Sequence, residues 1–157
     1  MLFRSNAVSA LLKYRNDATG HSFDRAITAL AQAAEQGKRI EFYGVGNSGI
    51  VAADAQHKFF RLGVHAASQS DGHVQVMSAT MLGEGDCAVI ISNAGRSKDL
   101  IDSAEIALRK GATLIAITAS GSPLAQLTLS SSQILLAADH PEDFERYVPM
   151  EIGRAHV

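Results

Sequence analysis

The stretch Arg39-Ile40-Glu41-Phe42-Tyr43-Gly44-Val45-Gly46-Asn47-Ser48-Gly49 decides the fold. A short extended run enters a loop with three glycines, and Ser48 to Leu62 then reads as a helix ended by Gly63. A strand that turns through glycines directly into a helix is the first half of a parallel crossover unit. The rhythm repeats downstream. Val64 to Ala67 is expected as a short strand, and Asp71 as the cap of a helix reaching Leu82. Cys87 to Ile91 is the next strand, Ser97 to Lys110 a helix closed by Gly111, and Thr113 to Thr118 another strand. Ser122-Pro123 opens a short helix, with serine as cap and proline in the first turn. Ser130 to Ser132 is a polar turn, and Gln133 to Ala137 the last strand.

The strands are near-continuous Val/Ile/Leu/Ala runs, which is what burial on both faces requires. Alternation of strand and helix makes the crossovers right-handed. The expected fold class is therefore α/β, a three-layer α-β-α sandwich around a five-stranded parallel sheet. Upstream, Leu2 to Tyr14 and Phe23 to Glu35 have helical spacing, with Ser22 as N-cap of the second and Gly37 after its end. The residues 17–21 separate these helices and no basic face follows, so they read as scaffold and not as a helix-turn-helix.

Composition narrows the function. At 157 residues, 46% hydrophobic and 19% charged, the chain has the make-up of one globular domain. A formal net charge of −2 supplies no basic field for nucleic acid. Sequence-specific DNA binding is thus expected only through residues outside this segment. The apolar runs are strand-length, so no membrane partner is expected. The lone Cys87 opens an apolar strand and reads as buried filler. With no internal disulfide available and no secretory pattern at the start, the expected location is the cytoplasm.

Two loops carry the chemistry. In an open parallel sheet, ligands bind beyond the carboxyl ends of the strands. Gly44 to Gly49 lets backbone amides approach a ligand, Ser48 offers a hydroxyl, and the following helix start favours an anion. The glycine spacing also fits a dinucleotide fingerprint. That reading needs a ribose-binding acid about 20 residues on; Asp71 stands near that distance but more naturally caps a helix. The second loop, Ser92-Asn93-Ala94-Gly95-Arg96-Ser97-Lys98-Asp99, decides against a dinucleotide. Its hydroxyls, the amides near Gly95 and another helix start make a phosphate cradle. Asp99 lies in the first turn, where a carboxylate complements the helix dipole. Arg96 and Lys98 read as solvated, with a phosphate contact as the alternative.

These two loops together resemble the sugar isomerase (SIS) domain. The stretch Val51 to Arg61, with Asp71-Gly72-His73 and Ala119 to Leu124, further resembles the sensing domain of RpiR-type transcriptional regulators of the HexR-like branch. The resemblance covers roughly residues 1–150. It implies a phosphosugar-sensing module, helices in 1–38 included, that joins into homo-oligomers and reaches DNA through a helix-turn-helix domain absent from this segment. It also allows a fused glucokinase outside the segment, and names an intermediate of glucose breakdown such as 2-keto-3-deoxy-6-phosphogluconate as effector. Carried over by position, the phosphosugar site is Gly46, Asn47, Ser48, Ser92, Asn93, Gly95 and Ser97. Ala94 departs from the serine or threonine frequent in the family, which removes one hydroxyl from the cradle and a bond worth about 1 to 2 kcal/mol where the family makes it. No cofactor, metal or catalytic residue is expected.

Other residues have plainer readings. His57 and Lys58 belong to a helix surface, His73 to a helix start, and the pair Met77 and Met81 to core or subunit packing. A sugar-phosphate isomerase, the alternative function, needs a base near the sugar. Glu84 and Glu105 are misplaced for it, which leaves the solvated acids Glu142, Asp143 and Glu145. The last residues, Glu151 to Val157, resemble the translation of a common sequencing adapter and are expected to be a foreign tail on a fragment.

Overall fold

The computed structural model describes residues 18–139. The expected helix Leu2 to Tyr14, the acids Glu142, Asp143 and Glu145, and the tail Glu151 to Val157 lie outside the described residues. The described elements run α1 (Ala18–Glu35), β1 (Ile40–Tyr43), α2 (Asn47–Arg61), β2 (Ala66–Gln69) and α3 (Gly72–Ala79). They continue with β3 (Cys87–Ser92), α4 (Lys98–Arg109), β4 (Thr113–Thr118), α5 (Pro123–Ser130) and β5 (Ile134–Ala137). All five strands are parallel, in the order β2-β1-β3-β4-β5. The sheet expected from the alternating pattern is present.

Alternation along β1 sends Ile40 and Phe42 to one face and Glu41 and Tyr43 to the other. On the first face, Ala26 and Ala33 of α1 and Ala52 of α2 meet Ile40, Phe42, Val89 and Ile115. Alanines at these contacts let the helices approach closely, and the Phe42 and Phe59 rings fill the gap with centroids 5.2 Å apart. On the second face, Ala79, Leu100, Ala104 and Leu124 from α3, α4 and α5 cover Tyr43, Ile90, Leu114 and Ala116. Three layers result.

Several boundaries differ from expectation. α1 begins at Ala18, so Ser22 is its fifth residue and does not cap it; serine is only mildly unfavourable inside a helix, and the residue alone does not fix the boundary. β2 starts two residues later than expected, because its register is set by pairing Ile40 with Ala66. Val64 instead packs against the core below the strand. α3 stops at Ala79, where Thr80 turns its hydroxyl onto the Met77 carbonyl at 2.6 Å. Met77 and Met81 are 67% and 69% exposed, so neither is core. The caps at Asp71 and Ser122 are as expected, each accepting a first-turn amide at 3.1 Å.

Cys87 is buried, as its apolar surroundings suggested, and its Sγ faces the Ala29 carbonyl. Burial, then the neighbouring charge of Asp86, pushes the thiol up to about 11. Little thiolate exists at neutral pH, and the residue is chemically inert packing.

Candidate functional site

Chain direction diverges at the middle of the sheet. β1 continues through α2 to β2 on one side, whereas β3 continues through α4 to β4 on the other. β1 and β3 are neighbours, Tyr43 opposite Ile90, so the loops leaving them open side by side at the switch point.

The first loop coils tightly on itself. A Cβ on Gly44 would lie 2.4 Å from the Ser48 carbonyl oxygen and 2.9 Å from the Gly49 nitrogen, so only glycine fits. Gly46 occupies the N-cap of α2 and offers no side chain to the helix start. The Gly49 and Ile50 amides return to the Gly46 carbonyl at 3.0 and 3.2 Å. The amides of Asn47 and Ser48 stand ahead of the intrahelical ladder, at the positive end of the helix dipole. Asn47 is exposed and Ser48 half-buried.

The second loop is held from within and from behind. Ser92 ends β3, and its Oγ accepts the Gly95 amide at 3.1 Å. The Asn93 carbonyl accepts from Ala119 at 3.2 Å and the Gly95 carbonyl from Leu124 at 3.0 Å. Gly95 is buried at φ 63, and a Cβ there would meet Ser122 Oγ at 2.3 Å and Thr118 Oγ1 at 2.4 Å. Its amide is therefore committed to shaping the loop. Ser97 sits at the N-cap of α4 in extended geometry, yet its hydroxyl makes no capping bond. A ligand anion placed there would meet a hydroxyl and a helix start together.

The loop ahead of α5 forms the third wall. Asp139 accepts both the Ser120 amide (2.8 Å) and its hydroxyl (2.6 Å), while Thr118 and Ser122 hydroxyls lie 3.2 Å apart behind Gly95. The sequence-derived residues Gly46, Asn47, Ser48, Ser92, Asn93, Gly95 and Ser97 thus share one edge of the sheet. The flanking cations are turned outward. Lys98 bonds Asp102 one turn along α4 at 2.7 Å, a contact that raises its pKa, and Arg96 is exposed. His57 and Lys58 are exposed on α2, and His73 is exposed at the start of α3. Glu84 and Glu105 are exposed too. The Asp99 carboxylate lies against Gly72, where a Cβ would come within 2.2 Å of it, and joins α4 to the start of α3.

Two residues behind this edge were not singled out from the sequence. Glu41, fully buried in mid-strand, accepts from Arg39 and from the Tyr43 hydroxyl, and from Ser78 Oγ of α3 at 2.6 Å. Burial first, then the bond to Glu41 and its charge, raise the Tyr43 phenol far above its ordinary value. Gln75, also of α3 and fully buried, donates from Nε2 to the carbonyls of Gly44 (3.1 Å) and Gln69 (2.9 Å). A charge in a four-residue apolar strand was the available signal for Glu41, since such a group is buried only when partnered.

Comparison with known proteins bears on the family and the fold. The family model described as "SIS domain" matches residues 34–144. The "Bifunctional protein glk" of Paraburkholderia xenovorans (strain LB400) is 41% identical over 145 residues, which are 92% of this chain and 22% of that protein. The HTH-type transcriptional regulator HexR of Pseudomonas aeruginosa is 38% identical over 146 residues, 93% of this chain and 48% of that regulator. The Vibrio vulnificus NanR protein complexed with ManNAc-6P superposes with a TM-score of 0.73 at 28% identity. That match covers 90% of this chain and 51% of NanR. The chain therefore spans about a fifth of the first relative and about half of the regulators. The strand order and the family match, which runs from the end of α1 past β5, lead to the same place: the chain belongs to the SIS domain family.

Proposed function

We propose that this chain is the phosphosugar-sensing domain of a bacterial transcriptional regulator of carbohydrate catabolism, of the HexR-like type. One observation carries the reading: two loops with serine hydroxyls and uncapped helix starts, Ser48 on α2 and Ser97 on α4, meet at the switch point of the sheet. Phosphate is the ligand group such a pair of helix starts suits best. The similarity to HexR and to a NanR crystallised with a sugar phosphate supports it. In this reading the unit is residues 1–150, Glu151 to Val157 are foreign, and Gly46, Asn47, Ser48, Ser92, Asn93, Gly95 and Ser97 surround the effector phosphate. DNA is reached through a helix-turn-helix domain joined to this segment, in the cytoplasm. A glucokinase, where one is fused as in the glk relatives, lies outside it too.

Sensing, not turnover, fits the described residues around the loops. Asp71 caps α3, Asp139 clamps Ser120, and Glu41 is enclosed with its oxygens taken. A thermal-shift panel of sugar phosphates is expected to raise the melting temperature for 2-keto-3-deoxy-6-phosphogluconate or a close analogue. Ser48→Ala and Ser97→Ala should each weaken that binding by about 1 to 2 kcal/mol while the domain stays folded. Unchanged affinity in both variants, read by calorimetry, would remove the site. Isomerase turnover of hexose or pentose phosphates would replace the sensor reading with an enzyme.

The partner expected besides the effector is a second copy of the chain. Ile50, Val51, Phe60 and Leu62 on and just after α2, with Val74, Met77 and Met81 around α3, are all exposed large apolar side chains. The α2 set and the α3 set cover opposite faces of the sheet, and an apolar helix face of this kind belongs to an interface more often than to a free surface. Sedimentation at micromolar concentration should show a dimer or larger; a strict monomer would count against this part of the reading.

A further inference from the structure

Gln75 has no charge to advertise it and lies in a helix, α3, that contains none of the expected site residues. Its side chain is fully enclosed, and its Oε1 has no hydrogen-bond partner among the described residues. A buried orphan acceptor is unfavourable, and a methionine or leucine would fill the same space without one. The reason for the amide must therefore lie in its other end. Nε2 reaches the Gly44 carbonyl, the first residue of the glycine loop, and the Gln69 carbonyl, the last residue of β2. The Gln69 carbonyl also accepts the Gly44 amide at 3.3 Å. One amide group thus fixes Gly44 against the neighbouring strand at the point where the loop begins to coil.

We propose that Gln75 is a positioning residue of the effector loop: its paired donation to Gly44 and Gln69 holds residues 44–49 in the shape that presents the Asn47 and Ser48 amides to a phosphate. The inference rests on the effector reading above for its ligand but not for its loop. α3 makes further contacts on either side of Gln75. Its first residues abut Asp99 of the second loop, and Ser78, one turn beyond Gln75, is bonded to Glu41 of β1. Gln75 therefore ties the first loop to the same helix that touches the second, so that both anion-facing helix starts keep a fixed spacing.

The test uses two variants of the full 157-residue chain. Gln75→Leu removes both polar ends in a branched side chain, and Gln75→Met removes them while keeping the volume and the unbranched shape. Hydrogen exchange of the Gly49 and Ile50 amides, which bond back to the Gly46 carbonyl, should quicken about tenfold or more in both, with exchange in β3 and β4 unchanged, which a general loss of stability would not give. Titration with 6-phosphogluconate and 2-keto-3-deoxy-6-phosphogluconate should show affinity reduced about tenfold in both variants. Loop exchange at the wild-type rate overturns the proposal whatever the titration shows. Wild-type affinity in Gln75→Met overturns it as well and leaves the effector reading standing. If the wild-type chain binds neither compound, the effector reading falls, and faster exchange confined to the Gly49 and Ile50 amides still supports Gln75 as the residue that holds the loop.

Discussion

Glu41→Ala is expected to destabilise the domain by about 3 to 5 kcal/mol, from hydrogen bonds lost to a buried carboxylate and from the cavity left in its place. Three donors lose their acceptor at once: the Arg39 guanidinium, the Tyr43 hydroxyl and the Ser78 hydroxyl. Tyr43 is fully enclosed, so no solvent replaces its lost bond, whereas the Arg39 side chain is 31% exposed and can turn to water. Domains are commonly stable by only about 5 to 15 kcal/mol, and a loss of this size approaches unfolding at 37 °C. Glu41→Gln keeps the shape and one accepting oxygen, and should lose roughly half as much. Urea denaturation of the three proteins provides the comparison. A loss below about 1 kcal/mol for Glu41→Ala would mean that the network contributes little and that the strand is held by its apolar neighbours alone.

Gly95→Ala has the second large expected effect, about 2 to 4 kcal/mol. Two contributions combine. A left-handed backbone is unfavourable for alanine by about 1 kcal/mol or a little more. The added methyl also strikes Ser122 Oγ and Thr118 Oγ1, buried groups with no room to retreat, and overpacking of this kind costs about 1 to 3 kcal/mol. Gly121→Ala separates the two. Gly121 also has a positive φ, 76, but a Cβ there meets nothing within 4 Å, so that variant carries the backbone part alone. Equal losses in the two variants would show that the packing behind the second loop yields easily. The excess in Gly95→Ala should be accompanied by weaker phosphosugar binding, because pushing Ser122 away also moves the loop that carries Ser92 and Ser97.

How much of this could be read from the sequence depends on how local the cause is. The caps Asp71 and Ser122 depend on a side chain reaching an amide three residues on, and both were legible. So was β4, whose apolar run is complete in itself. β2 was placed two residues early because Ala66-Ala67-Ser68-Gln69 has no β-branched residue to mark it; pairing with β1 chooses that segment. The loop residues of the candidate site were legible from glycine and serine spacing. Glu41 and Gln75 were not, since Ser78 and Gly44, which complete their bonding beside nearer partners such as Arg39 and Tyr43, lie distant along the chain. A helix start announces itself locally, but the residue that holds a loop from behind is visible only after folding.

The strand order has a consequence for the sequence of assembly during synthesis. β1, α2 and β2 leave the ribosome before β3 and can pair at once as a crossover unit. The other side of β1 stays open until α3 has crossed to bring β3 alongside. That later segment also delivers Ser78 to Glu41 and Asp86 to the Arg39 amide, the latter at 2.8 Å. Until then β1 offers an unpaired edge, the form in which nascent sheets associate with one another, and the charges of Arg39 and Glu41 keep that edge hydrated. Glu41, buried in the finished sheet, and the half-buried Arg39 beside it are thus a deterrent to wrong pairing while the sheet is half made.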